Sequence, residues 1–197
     1  MIEYSVINSG TTPTECVEIN KQELAERLKT EVGYSNEEIE NCKNELLKVI
    51  SYKYAYIKVP VDLSKEDYVN LGFVSFKSKN LYKNLTGCKE AFVFAVTVGI
   101  GVDRLLSRLN MMSQSKHFIT DAYSSAAVES YCDYVNSFLA EGIKTKPRFS
   151  PGYGDLPLEI QPDILKALSA DKTLGITLNE SLLMTPVKSI TAIMGVL

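Results

Sequence analysis

The sequence predicts an α+β fold, a twisted and largely antiparallel sheet flanked by helices. Three observations carry this expectation. Residues 90–98, Glu-Ala-Phe-Val-Phe-Ala-Val-Thr-Val, form a nearly continuous apolar run. Its length and β-branched content suit a central strand buried on both faces. Residues 52–61 alternate: Ala55, Ile57, Val59 and Val61 share one face, and Tyr54, Tyr56 and Lys58 the other, which is the period of a strand. Helical patterns lie between and beyond these strands without strict βαβ alternation, as an α+β chain requires.

Taken in order, residues 3–7 alternate weakly and predict a short strand. Asn20 with Glu23 marks a helix start, Leu24, Ala25 and Leu28 give it one apolar face, and Gly33 ends it. Ser35 and Glu38 form a capping box, in which the serine accepts from the Glu38 amide and the Glu38 carboxylate reaches back. Ile39, Cys42, Leu46, Val49 and Ile50 then recur at helical spacing. Pro60 places the strand over 52–61 near a sheet edge or a strand end. Residues 64–70 predict a short helix closed by Gly72, residues 72–76 a second strand, and 78–85 another short helix.

After the central strand, Gly99-Ile100-Gly101 leads into Val102, Leu105, Leu106 and Leu109 at helical spacing. Strand, Gly-x-Gly and helix invite a dinucleotide reading. The third glycine is missing, since Arg104 stands there, so the preferred reading is a tight strand-to-helix turn. Residues 116–139 are the longest helical pattern, crowded with Ala122, Ser124, Ser125, Ala126 and Ala127. This helix is expected to cover Phe92, Phe94 and Val96. Asp121, Ser125 and Glu129 follow one another at single turns, which by itself describes a solvated face. Gly142 ends the helix. Pro162 suits the first turn of a later helix with Ile164, Leu165 and Leu168 inward. Residues 176–178, 182–184 and 187–196 read as short strands.

At 197 residues and 45% hydrophobic content, the chain fits one domain over 1–197 with a substantial core. The net charge is −3 and no basic block stands out, so nucleic-acid binding is disfavoured. No apolar run reaches the roughly 18 residues of a membrane helix, and the first ten residues do not read as a signal peptide. Cys16, Cys42, Cys88 and Cys132 are scattered, and His117 is the one histidine. That pattern predicts a cytoplasmic protein without a metal site, a disulfide framework or a catalytic triad.

The chemistry concentrates in Arg148-Phe149-Ser150-Pro151-Gly152-Tyr153-Gly154-Asp155-Leu156-Pro157. Prolines fix φ and glycines open conformations closed to other residues, so this is a shaped loop rather than a helix or strand. A guanidinium is the natural partner of a carboxylate, because its planar fork makes two parallel charge-assisted bonds. From residue chemistry alone the segment reads either as a small-molecule cradle or as a surface turn with an exposed arginine, the turn being the commoner case.

This loop resembles the signature of the activation domain of cobalamin-dependent methionine synthase, Arg-x-x-x-Gly-Tyr. Residues 174–181, Leu-Gly-Ile-Thr-Leu-Asn-Glu-Ser, with Met184-Thr185-Pro186 and Ser189, are similar to the family's next segment. Residues 73–101 and 126–129 fit it more loosely. The resemblance covers about residues 70–197, and the N-terminal part carries none of it.

The resemblance implies an S-adenosylmethionine site. Arg148 would hold the ligand carboxylate, Pro151, Gly152, Tyr153 and Gly154 would form the wall, and Glu129 would stand nearby as part of an Ala-Val-Glu patch. It also implies a role, the reductive methylation of an inactive cobalamin. No Asp-x-His-x-x-Gly motif for cobalamin is present, so that cofactor would arrive on a corrinoid-carrying methyltransferase, with an electron from a flavodoxin-like donor. Leu158-Glu159-Ile160-Gln161-Pro162 departs from the family, which has an acidic residue, a histidine and a lysine there. The alternative is a non-catalytic docking module for a corrinoid protein.

Overall fold

The computed structural model describes residues 6–28 and 35–197. Its frame begins with β1 (Asn8–Thr12), α1 (Lys21–Leu28), α2 (Asn36–Leu47), β2 (Tyr52–Pro60), β3 (Tyr68–Asn70), β4 (Ser75–Lys77), α3 (Lys79–Leu85) and β5 (Glu90–Thr97). It continues with α4 (Ile100–Met112), α5 (Gln114–Leu139), α6 (Gln161–Ala167), α7 (Ala170–Thr173), β6 (Thr177–Leu178), β7 (Met184–Thr185) and β8 (Ser189–Val196). The main sheet has the order β1-β2-β5-β8, and every neighbouring pair is antiparallel.

The strict alternation of β2 and β5 divides the core into two layers. Phe92, Phe94 and Val96 face the layer of α2, α4 and α5, where they join Leu46, Leu105, Tyr131 and Val135. Ala91, Val93 and Ala95 face the other layer with Ala55, Ile57 and Val59, under α3, α6 and the β3–β4 hairpin. Phe94 is wholly buried, as expected. The continuous apolar run over 90–97 thus has a simple cause: helices cover this strand on both sides.

The Gly-x-Gly turn is structural. Gly99 has φ +88°, and a Cβ on Gly101 would lie 2.5 Å from the Val49 carbonyl oxygen. The glycines serve a tight turn and a close helix approach. Ser113 caps α5, and Asn20 Oδ1 accepts from the amides of Gln22 and Glu23 at the start of α1.

Several expectations change. Residues 64–70 are not a helix. Asp62 Oδ1 accepts from the Ser64 amide, Asp67 has φ +61°, and the chain then enters β3, which pairs with β4. Short acidic and hydroxyl side chains compete with the helical ladder in this way. The strand expected over 72–76 is correspondingly shorter, because Gly72, at φ +83°, belongs to the hairpin turn. Of the strand expected over 3–7, residues 3–5 lie outside the described residues, and β1 forms at Asn8–Thr12 instead. Gly33 also lies outside them. Ser35 does accept from the Glu38 amide at 3.1 Å, but the Glu38 carboxylate takes the Ser115 hydroxyl at 2.7 Å. It ties α2 to α5 rather than closing a capping box.

Candidate functional site

The site forms where the segment after α5 returns to the sheet. Phe149 and Ile193 exchange both backbone hydrogen bonds at 2.8 Å, and the Lys146 amide donates to Gly195 at 2.9 Å. The first part of the predicted loop therefore runs along the outer edge of β8. Pro147 has no N–H to give a ladder and suits such an edge. Backbone alternation sends adjacent side chains to opposite layers: Phe149 packs into the core under α6, and Arg148 turns toward α5.

There the Arg148 guanidinium meets two carboxylates one turn apart. Nη2 donates to Glu129 Oε2 at 3.0 Å, and Nη1 donates to Asp133 Oδ1. The side chains of Arg148 and Glu129 are 26% and 38% exposed, and that of Asp133 is 63% exposed. Solvent screening leaves such pairs with modest net stabilisation, about 1 kcal/mol or less each. Cys132 stands between them in sequence and is buried. Burial pushes its thiol up to about 12, against the pull of Arg148, so at neutral pH it is an inert thiol.

The tip of the loop is held from the other side. Gly152, at φ +83°, donates its amide to the Leu156 carbonyl at 2.9 Å. Gly154 adopts the left-handed φ of +59°, which side chains rarely take, and a Cβ there would also press on the end of the Asn80 side chain. Asp155 accepts from the Ser78 hydroxyl at 2.6 Å, the Lys79 amide at 2.8 Å and the Asn80 amide at 3.1 Å. It thereby satisfies free amides at the start of α3. The Ser78 hydroxyl above all, and then these amides, hold the Asp155 carboxyl below its ordinary value. Tyr153 projects outward, 69% exposed, with its ring edge-on to Phe149.

Between this loop, α5, α6 and β8 lies a cavity of about 380 Å³. Glu129 and Pro151 line it, together with Gln161, Met184, Ser189 and Thr191. Gln161 is 2% exposed, and its Oε1 accepts from the Thr191 hydroxyl at 2.9 Å. Of the residues singled out from sequence, Glu129 and Pro151 reach the cavity, and Arg148 contacts Glu129. Gly152, Tyr153 and Gly154 shape the loop outside the cavity lining. The polar stripe of α5 is not simply solvated, because Lys188 Nζ contacts Asp121 Oδ1 at 2.8 Å and Ser125 Oγ at 2.7 Å. Among the described residues, no group of three or more His, Cys, Asp and Glu side chains could hold a metal ion, and no helix is long and apolar enough to cross a membrane.

Sequence reading missed Asp133, Asp155, Gln161 and Lys188. A signal existed for Asp133, which falls one turn after Glu129 on the same helix. None existed for Gln161, whose partner Thr191 comes from the far end of the chain.

No family model and no curated protein sequence matches the chain. Among solved structures it is similar to the MetH reactivation domain bound to AdoHcy, at a TM-score of 0.71 and 14% identity, over 98% of this chain and 79% of that one. The fold is that of the MetH reactivation domain. The predicted architecture, helices flanking an antiparallel sheet, is thereby confirmed. The reactivation-domain fold here includes β1 and β2, so the structural likeness extends into the N-terminal part where the sequence carried no resemblance.

Proposed function

We propose that this chain binds S-adenosylmethionine and acts as an activation subunit for a separate methionine synthase or related corrinoid methyltransferase. The observation that carries the reading is the cavity between Glu129 and the Arg148 loop, set in the fold of a domain that was solved with AdoHcy. The cavity volume of about 380 Å³ falls in the roughly 300–1,000 Å³ range of small-molecule sites.

The residues present fit the ligand's charges. Two of the five N–H donors of Arg148 serve Glu129 and Asp133, which leaves three of the guanidinium's donors for a ligand carboxylate that reaches past Glu129. Glu129 offers a carboxylate to an amine, to ribose hydroxyls or to the positive sulfonium. Pro151 and the stiff backbone around Gly152 and Gly154 give the wall its shape. S-adenosylmethionine supplies a methyl group activated on sulfur. The chain's part is to hold and orient that ligand and to present it to the partner. The partner carries the cobalamin, and a flavodoxin-like donor supplies the electron. The reading also makes the chain a cytoplasmic accessory subunit rather than a complete enzyme.

A second reading has its own support. Arg148 already has two carboxylate partners, and a guanidinium so paired needs no ligand. On this reading the fold docks to a corrinoid protein without binding S-adenosylmethionine. Calorimetry of the purified chain with S-adenosylmethionine and S-adenosylhomocysteine decides between them. Saturable one-to-one binding supports the activation subunit. The docking module predicts no heat with either compound, together with a complex with the corrinoid protein that is indifferent to both.

A further inference from the structure

Gln161 is an unusual residue to find buried. It opens α6 immediately before Pro162, where a side chain ordinarily meets solvent, yet it is 2% exposed and lines the cavity. Its Oε1 accepts from the Thr191 hydroxyl, itself 2% exposed. No hydrogen bond is formed by its amide nitrogen among the described residues, and that atom is not one of the fully buried polar atoms left without a partner. The residue lines the cavity, so this donor remains for a ligand group that accepts.

We propose that Gln161 is a specificity-determining residue, whose side-chain amide reads the adenine base of the S-adenosyl ligand. This rests on the reading of the cavity as an S-adenosylmethionine site. The chemistry narrows the group that Gln161 would take. The amide is neutral, and Leu158, Met184 and Ile190, which line the same cavity, are apolar, so a carboxylate placed beside them would be a buried charge without a counter-ion. The charged contacts of the site lie with Glu129 and Arg148 instead. An adenine fits: its faces are apolar, its ring nitrogens accept, and its exocyclic amine donates. A primary amide matches that pattern with two bonds, the N–H to a ring nitrogen and the carbonyl to the amine. Oε1 keeps a second lone pair for this after accepting from the Thr191 hydroxyl.

The test compares S-adenosylhomocysteine with S-inosylhomocysteine. Inosine replaces the amine by a carbonyl and turns the adjacent ring nitrogen into a donor, so Oε1, held toward the 6-position, would meet a second acceptor on either edge of the base. Wild type should bind the inosyl compound roughly ten- to a hundred-fold more weakly. Gln161→Leu should lose most of that discrimination, by weakening the adenosyl compound alone. A merely structural role would lower both affinities together and leave their ratio unchanged. If Gln161→Leu fails to fold, Gln161→Met, which keeps the length of the side chain and loses the amide, takes its place with the same expected loss of discrimination. Equal wild-type affinities for the two compounds overturn the role of Gln161 and leave the ligand site standing. No binding of the adenosyl compound by wild type overturns both.

Discussion

Arg148 and Lys188 both reach from the sheet to carboxylates on α5, and the two contacts resemble each other on paper. Each cation takes an acidic residue and a second partner one turn along the helix: Glu129 and Asp133 for Arg148, Asp121 and Ser125 for Lys188. The surroundings differ. Lys188 has a side chain only 14% exposed, and two of its three donors are engaged. Arg148 has a larger donor set, and its partner Glu129 lines the cavity. One contact fastens a strand to a helix, and the other stands at the wall of a ligand-sized space. Ion pairing alone does not mark a site. Of the two pairs, it is the Arg148 pair whose carboxylate lines the cavity.

The largest effect should come from removing what both contacts stand on. Phe94 packs in the layer that seats α5, and Phe94→Ala should cost about 3–5 kcal/mol in chemical denaturation. An unfolding midpoint unmoved by the change would show the layer to be wrongly assigned. Next comes Arg148. Arg148→Ala should weaken S-adenosylmethionine binding by about 1.5–3 kcal/mol, roughly ten- to a hundred-fold, with Arg148→Lys in between because it keeps charge but loses the fork. Equal affinities in all three proteins would remove Arg148 from the site. Lys188→Met keeps most of the aliphatic stem and loses only the charge. It should lower stability by about 1 kcal/mol or less and leave ligand affinity unchanged; a tenfold loss of affinity would collapse the contrast between the two cations.

The smallest effect concerns Asp155. Its folded carboxyl lies below the ordinary value of 3.8, through the Ser78 hydroxyl first and then the amides of α3. A lowered folded pKa means stability that is present above the unfolded value and lost as pH falls through the folded one. Asp155→Asn should cost about 1 kcal/mol at neutral pH, by analogy with loss of a helix cap, and less because the carboxylate is exposed. The gap between variant and wild type should close as pH drops below 3.8. A gap that persists in acid would mean that the side chain's shape, not its charge, holds the loop.

Much of the frame was legible in the residues. The run over 90–97 announced a doubly covered strand, and Ser35 and Asn20 announced helix starts. What escaped depended on distant partners. The residues Asn-Ser-Gly-Thr-Thr of β1 carry no apolar alternation, and they pair because Tyr52 and its neighbours, some forty residues on, offer an edge. The β3–β4 hairpin is only three residues a side, too short for periodicity to separate strand from helix. At the site, the Arg148 motif and Glu129 could be chosen from sequence. Asp155, legible only as a loop carboxylate, becomes a helix cap because α3 stands opposite it. Gln161 reads as a surface residue until Thr191 closes over it.

The backbone bonds at Phe149 and the side-chain bonds at Asp155 make the stretch between them a short beam pinned at both ends, one to the sheet and one to a helix. Five residues so fixed have few conformations left to lose. A ligand arriving there would find the wall already in place, and little of its binding free energy would be spent on ordering the loop. The same pinning ties recognition to the frame: a substitution that loosens α3 or the edge of β8 would act as a loss of affinity at a distance, without touching any group in the cavity.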